Sequence, residues 1–442
     1  MSTDARNHYL ADYARIAGSL PGAGVPWLGR IRTEALDIFA QQGFPTKRDE
    51  EWKYTSVAEF EKHAFLAMPA SRDDAVATAI ARNFAIENDA AHLLVFQNGR
   101  YAPALSSPGN LPSGATLKSL ADVLATTPDI LEPYLANGEQ QPAFDALNAA
   151  FMADGVFLHL KRGTVLETPV HLLFLSTQAE SASHLRNIIV AEEGAQATVI
   201  EHYAGTDGTL YFTNVVSRIF AAENAVIEHH KLQQEAGNAF HVAGIHAIQR
   251  RDSHFASNSF TLGGALTRND ITTVFDAAGC DATLNGLYLV GGQQHVDNHT
   301  RIDHRMPNGT SRENYRGVLD GRSHAVFNGK VIVHPGAQKT NAFQANHNLL
   351  LSREAEIDTK PQLEIHADDV KCNHGATIGQ LDETQLFYLR SRGIDEAVAR
   401  NLLVHAFAHD VIEYIRVASL RTRLEQILLA RLPQGERMRE LS

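Results

Sequence analysis

Cysteine is nearly absent from this chain. Among 442 residues only Cys280 and Cys372 occur, which excludes a disulfide framework and makes a reducing cytoplasm the expected compartment. Basic runs are missing too. The 39 Lys and Arg against 51 Asp and Glu leave a net charge of −12, a poor match for nucleic acid, whose affinity is dominated by phosphate neutralisation. No apolar stretch approaches the roughly 18 residues of a membrane span; the longest, such as 169–175, are strand-sized. The opening MSTDARNHYLADYAR carries early acids and no apolar core, so no secretory signal is expected. There is no GxxxxGK(S/T), and hence no ATP site of that kind, and no HExxH, GxSxG, CxxC or strand–GxGxxG–helix.

What the chain does have is histidine, 22 residues of it, the commonest metal ligand and the proton carrier of neutral pH. Its organisation falls into three zones. Residues 1–150 read as an N-terminal helical region. In 27–42 the apolar Leu28, Ile31, Ala35, Ile38 and Phe39 recur at helical spacing until Gly43 and Pro45 end the run. Residues 151–379 change character, with short alternating runs rich in Val, Ile, Thr and Phe broken by small or acidic turns. Turns at Glu193-Gly194, Glu223-Asn224, Arg251-Asp252 and Gly279-Cys280 are separated by steps of 30, 28 and 28 residues. A near-constant period with strands in every unit is the mark of a solenoid. No helix of ten or more residues intervenes, so a βα array is disfavoured. The expected core is a right-handed parallel β-helix, with an antiparallel sandwich as the alternative. Residues 380–442 return to helix: Gly393 is a C-terminal stop, Asp395 an N-cap, and Ala399, Leu403, Phe407, Val411 and Ile415 form an apolar stripe continued by Leu420, Leu424 and Leu428. That stripe requires a covering surface, in this chain or another.

The densest polar cluster is His366-Ala-Asp-Asp-Val-Lys-Cys-Asn-His374. If extended, it places His366, Asp368, Val370, Cys372 and His374 on one face, neighbours about 6.6–7 Å apart. Thiolate and imidazole could then converge on iron or zinc, but two such ligands fall short of the four of a closed structural site. Another strand or chain must complete it. Elsewhere His295, His299 and His304 read as solvated loop residues, His229 and His230 as pointing to opposite faces of a strand, and Cys280 as a small packed residue at a corner. Asp368 and Asp369 would diverge, which argues against paired acid–base work.

Longer motifs carry a resemblance. Gly43-Phe-Pro-Thr-Lys-Arg-Asp-Glu-Glu-Trp-Lys-Tyr-Thr55, Tyr315-Arg-Gly-Val-Leu-Asp-Gly-Arg-Ser323, Val326-Phe-Asn-Gly-Lys-Val-Ile-Val-His-Pro-Gly-Ala-Gln-Lys-Thr340 and Lys371-Cys-Asn-His-Gly-Ala-Thr377 are similar to the SufB/SufD scaffold family of the SUF iron–sulfur cluster assembly system. The resemblance spans all three zones. It implies a parallel β-helix flanked by helices, pairing with SufB through the β-helix, and docking of the ATPase SufC through the C-terminal helices. It implies that His374, with Cys372 as a weaker companion, holds transient iron or a nascent cluster shared with SufB. Where SufB-type members carry a sulfur-accepting cysteine and a glutamate, this chain has Asn346 and Gly375, so the SufD type is favoured; Asn373 stands where that type usually has Ser. A non-catalytic scaffold follows, and a homodimer is conceivable in isolation. The competing readings are a carbohydrate-active parallel β-helix enzyme, a self-sufficient metalloenzyme, and a partner subunit with no ligand role.

Overall fold

The computed structural model describes residues 2–67, 74–86, 92–135 and 141–432; positions 433–442 of the expected C-terminal segment lie outside them. The chain is mainly β, 42% strand and 28% helix, with a parallel solenoid of about 8 turns at its centre. From Val156–Leu160 onward successive strands alternate between two ten-stranded sheets, so each pairs in parallel with the strand two places on. The period read from the turns follows the pairing offset to within one residue: Gln196 aligns with Val226, Val226 with His254 and His254 with Asp281. One sheet ends in Glu356–Ile365, the other in Lys371–Gly379.

The corners stack because one residue per coil turns left-handed. Gly163, Gly194, Asn224, Asp252, Gly279, Asn308 and Lys339 all have φ between 54° and 77°. Each donates its N–H to a carbonyl one coil further on, at 2.7–3.1 Å, from Gly163 to Glu193 through Lys339 to Asp369. Gly, Asn and Asp visit this region most readily, which is why the sequence shows a small or acidic turn at each step. Between the sheets, Val215, Ile219, Ile245, Ile271, Ile302 and Val331 are at most 2% exposed, each contributing roughly 1.5–3 kcal/mol of burial.

Helical layers cover both outer faces. On the first sheet Phe39, Phe44, Phe60, Phe65 and Phe144 pack onto Phe212 and Phe240, with Phe60 edge-on to Phe212 at 4.7 Å between ring centres. On the second, helices Glu396–Ile412 and Ala418–Arg431 lie over Ile200, Leu232, Phe260, Leu287 and Val318. The covering surface required by the C-terminal stripe is therefore in the same chain. Ala399, Val411 and Ile415 of that stripe are buried as expected; Leu403 and Phe407 are only half-buried, and Val404, Ala408 and Ile412 take up the buried face beside them. Phe407 is drawn sideways by Arg316, whose guanidinium lies 4.8 Å from its ring and pairs with Asp410 at 2.6 Å. Gly393 takes φ +87° and Asp395 caps Ala397 N–H, as the sequence implies.

The ends of the solenoid differ. The first coil is flanked by Ala115–Ser119, antiparallel to Val156–Leu160, and by Arg100–Tyr101, antiparallel to His92–Gln97. The last coil is flanked by nothing among the described residues: Glu356–Ile365 and Lys371–Gly379 are terminal in their sheets. Backbone donors and acceptors on that side are open.

Candidate functional site at the open end

The chain enters its last strand through a turn. Lys339 pairs with Asp369, Asp369 N–H donates to Gln338 Oε1 at 2.9 Å, and Lys371 N–H donates to Thr340 O at 2.8 Å. The strand thus starts at Lys371, and His366, Asp368 and Val370 belong to the approach rather than to a shared strand face. Only Cys372 and His374 of that expected row keep the alternation. They align with Ala342 and Gln344, buried residues that point between the sheets. Cys372 and His374 therefore continue an inward row, one coil past the point where anything covers it.

Their surroundings differ. Cys372 packs half-buried against the solenoid core, and burial pushes its thiol above the usual value, with a hydrogen bond at the Ala342 backbone working the other way. His374 is exposed. Behind it stands a polar column in register, Glu313–Gln344–His374. Gln344 Nε2 donates to Glu313 Oε2 at 2.6 Å, and burial pushes the Glu313 carboxyl up to about 7. A carboxyl poised near neutrality can hold or release a proton two coils behind the exposed imidazole, with Gln344 between them.

Asn346 is buried and held from three sides: its Nδ2 donates to the Tyr288 hydroxyl at 3.1 Å and Tyr315 O at 3.2 Å, and its Oδ1 accepts from Asn348 at 2.6 Å. That position offers an amide, not sulfur. Gly375 leaves open space where a Cβ would stand. Asn373 lies on the opposite face, beside the 51% exposed Phe343. The edge thus offers one thiol and one imidazole, donors suited to a borderline or soft metal, and no closed cage.

The other expectations divide. Cys280 is buried with its thiol hydrogen against Arg250 O at 3.1 Å and Ala277 O at 3.2 Å, a packed corner residue. His229 sits inside the solenoid near Glu201 and Ser257, and His230 beneath the C-terminal helical layer near Glu228 and Asn258. His295, His299 and His304 are on a strand, not a loop, and all three are engaged: by Thr55, by Glu51 and Asp297, and by Ser311.

Sequence reasoning passed over what those partners build. Arg268, 2% exposed, is the hub of the first sheet's outer face: it pairs with Asp270 at 2.7 Å and Asp297 at 2.6 Å, and donates to Glu51 O at 2.8 Å. Burial alone would raise the Asp297 carboxyl; Arg268 and His299 hold it far below the ordinary range instead. The signal was available, because Arg268 and Asp297 are exact cross-coil partners one period apart. Thr55 and Glu51 end the 43–55 motif, so that motif works as a strap pinned to the sheet.

Two family profiles match the chain. One described as "SUF system FeS cluster assembly, SufBD core domain" covers residues 174–407, and one described as "SufBD protein N-terminal region" covers residues 3–172. The chain is similar to an iron–sulfur cluster assembly SufBD family protein of Synechocystis, 36% identical over 411 residues, 90% of each chain. It is also similar to the iron–sulfur cluster assembly protein SufD of Escherichia coli, 33% identical over 406 residues, 91% of this chain and 92% of that one. SufD of Bacillus subtilis is 26% identical over 415 residues, 91% and 93% of the two chains. With both profiles matching along its length and a relative 33% identical over nine-tenths of both chains, the chain belongs to the SufBD family of iron–sulfur cluster assembly proteins.

Proposed function

We propose that the protein is a non-catalytic cytoplasmic scaffold subunit that pairs with SufB through its open last coil and docks the ATPase SufC through its C-terminal helices. His374, with Cys372 beside it, contributes half of a site where iron enters and a nascent cluster, the cargo, assembles. The observation that carries this reading is the exposed His374 on an inward row at an unpaired sheet edge. An edge of this kind recruits another strand, and a half-complete donor set gains its remaining ligands with it. Docking of SufC is supported by Phe387 and Tyr388 on helix Glu383–Ser391, 73% and 56% exposed. ATP-driven closure of two SufC copies would strain the SufB pairing and open the shared site. Without SufB, the same edge favours a homodimer.

The test is co-expression with SufB and SufC, anaerobic purification, and iron and sulfide analysis of intact and His374→Ala complexes. The expected result is an intact complex whose iron and sulfide content falls at least several-fold in the variant. Undiminished cluster content in His374→Ala, or failure to co-purify with SufB, overturns the reading.

A further inference from the structure

On the outer face of the first sheet, away from the Cys372–His374 row, the last two coils bring another set of metal-ligating groups together. His324 and Glu356 are direct cross-strand partners, and Asp358 is two residues further along the same outward row. One ligand atom from each of His324, Glu356 and Asp358 lies within 4.8 Å of both others. His324 Nε2 is 2.8 Å from Asp358 Oδ2, so the imidazole already faces the carboxylate. Its ring is packed edge-on against His295, 4.6 Å between centres, and the His295 ring is held in turn by the Thr55 hydroxyl at 2.8 Å.

The neighbours sharpen the contrast. Further along these two strands the charges of the outward face are paired: Glu364 with Lys330 at 2.6 Å, and Lys360 with Glu50 of the 43–55 strap at 2.6 Å. Glu356 and Asp358 have no Lys or Arg ion pair among the described residues; the imidazole is the group they share. Two carboxylates and one imidazole, partly open to solvent and fixed on adjacent paired strands, stay under-compensated in charge whether or not the imidazole carries a second proton.

We propose that His324, Glu356 and Asp358 form a divalent transition-metal site with one nitrogen and two oxygen ligands and positions left for water. Imidazole with carboxylates suits first-row ions, and the general affinity order places Zn²⁺ above Fe²⁺ and Mn²⁺. Small rotamer shifts bring the three ligand atoms to coordination distance, about 2.0–2.2 Å from the ion. The His295 ring acts as the outer support that fixes the imidazole. The proposal is independent of the role given to His374.

The full chain is titrated anaerobically with Co²⁺, read by its ligand-field absorption, and with Zn²⁺ in competition with a chromophoric chelator. The expected result is a site whose affinity falls at least tenfold in His324→Ala, Asp358→Asn and Glu356→Gln. Circular dichroism checks that the folded state is kept, and Glu356→Gln, at an exposed position, tests the site should His324→Ala fail to fold. Unaltered Zn²⁺ affinity in Glu356→Gln and Asp358→Asn overturns the proposal. So does competition by Mg²⁺ as effective as that by Zn²⁺, which would leave the imidazole without a part.

Discussion

The guanidinium of Arg268 lies 4.5 Å from the centre of the Trp52 ring, fully enclosed between the 43–55 strap and the first sheet. Through Asp270, Asp297 and Glu51 O it joins two adjacent strands to a segment far away in the chain. Breaking a buried pair by removing one partner strands the other charge, at about 3–5 kcal/mol. Arg268→Ala is expected to lower unfolding stability by that amount. Arg268→Lys should recover only part of it, because an ammonium cannot satisfy Asp270 and Asp297 together. Chemical denaturation of both variants measures the difference.

Glu313 makes stability depend on pH. Its carboxyl titrates near 7 in the folded chain, against an ordinary value of 4.5. Below pH 4.5 both folded and unfolded states hold the proton; between there and about 7 only the folded state does, so the contribution is lost as pH rises through that window. Glu313→Gln removes the titration. Its stability relative to the parent is expected to improve by about 1–3 kcal/mol from pH 5 to pH 8, read by urea unfolding at the two values.

The two thiols should be distinguishable by alkylation. Cys372 is half-buried at the open end with its thiol raised above 9, so native-state modification should be slow at pH 7 and accelerate above pH 9. Cys280, 1% exposed and also raised by burial, should react only on unfolding. Mass spectrometry of the modified peptides assigns the rates; fast labelling of Cys280 in the native state would contradict its place in the corner.

Leu420 is fully buried between the C-terminal helices and the second sheet. Leu420→Ala is expected to cost about 2–5 kcal/mol, concentrated in the layer that it anchors. Hydrogen exchange should quicken in Glu396–Ile412 and Ala418–Arg431 while strands such as Phe240–Gln249 keep their protection.

Much of the solenoid was legible before any coordinates, because each coil repeats a local rule: an alternating strand, then a residue able to turn left-handed. Gly194, Asn224, Asp252 and Gly279 announced the corners in this way. The cap at Asp395 and the stop at Gly393 were equally local. Less legible was anything resting on exact offsets. In the apolar stripe of the C-terminal helices Ala399, Val411 and Ile415 are buried, but Leu403 and Phe407 sit at the rim, where Arg316 from a distant strand holds Phe407. His295, His299 and His304 read as loop residues because polar side chains on an outward face look solvated until the strap that covers them is known.

At the candidate site the residue types Cys372 and His374 were evident from the sequence, as was the lack of further ligands beside them. The sequence alone therefore determined the repeating strands, the coil period and the presence of that donor pair, since each depends on short-range alternation and on which atoms are present. Only the tertiary structure decided that His374 is exposed at an uncovered edge, that Arg268 and Asp297 meet, and that His324 faces Asp358. Those outcomes depend on the summed lengths of many turns, which vary from coil to coil and place one side chain beside another only after the whole ladder has formed.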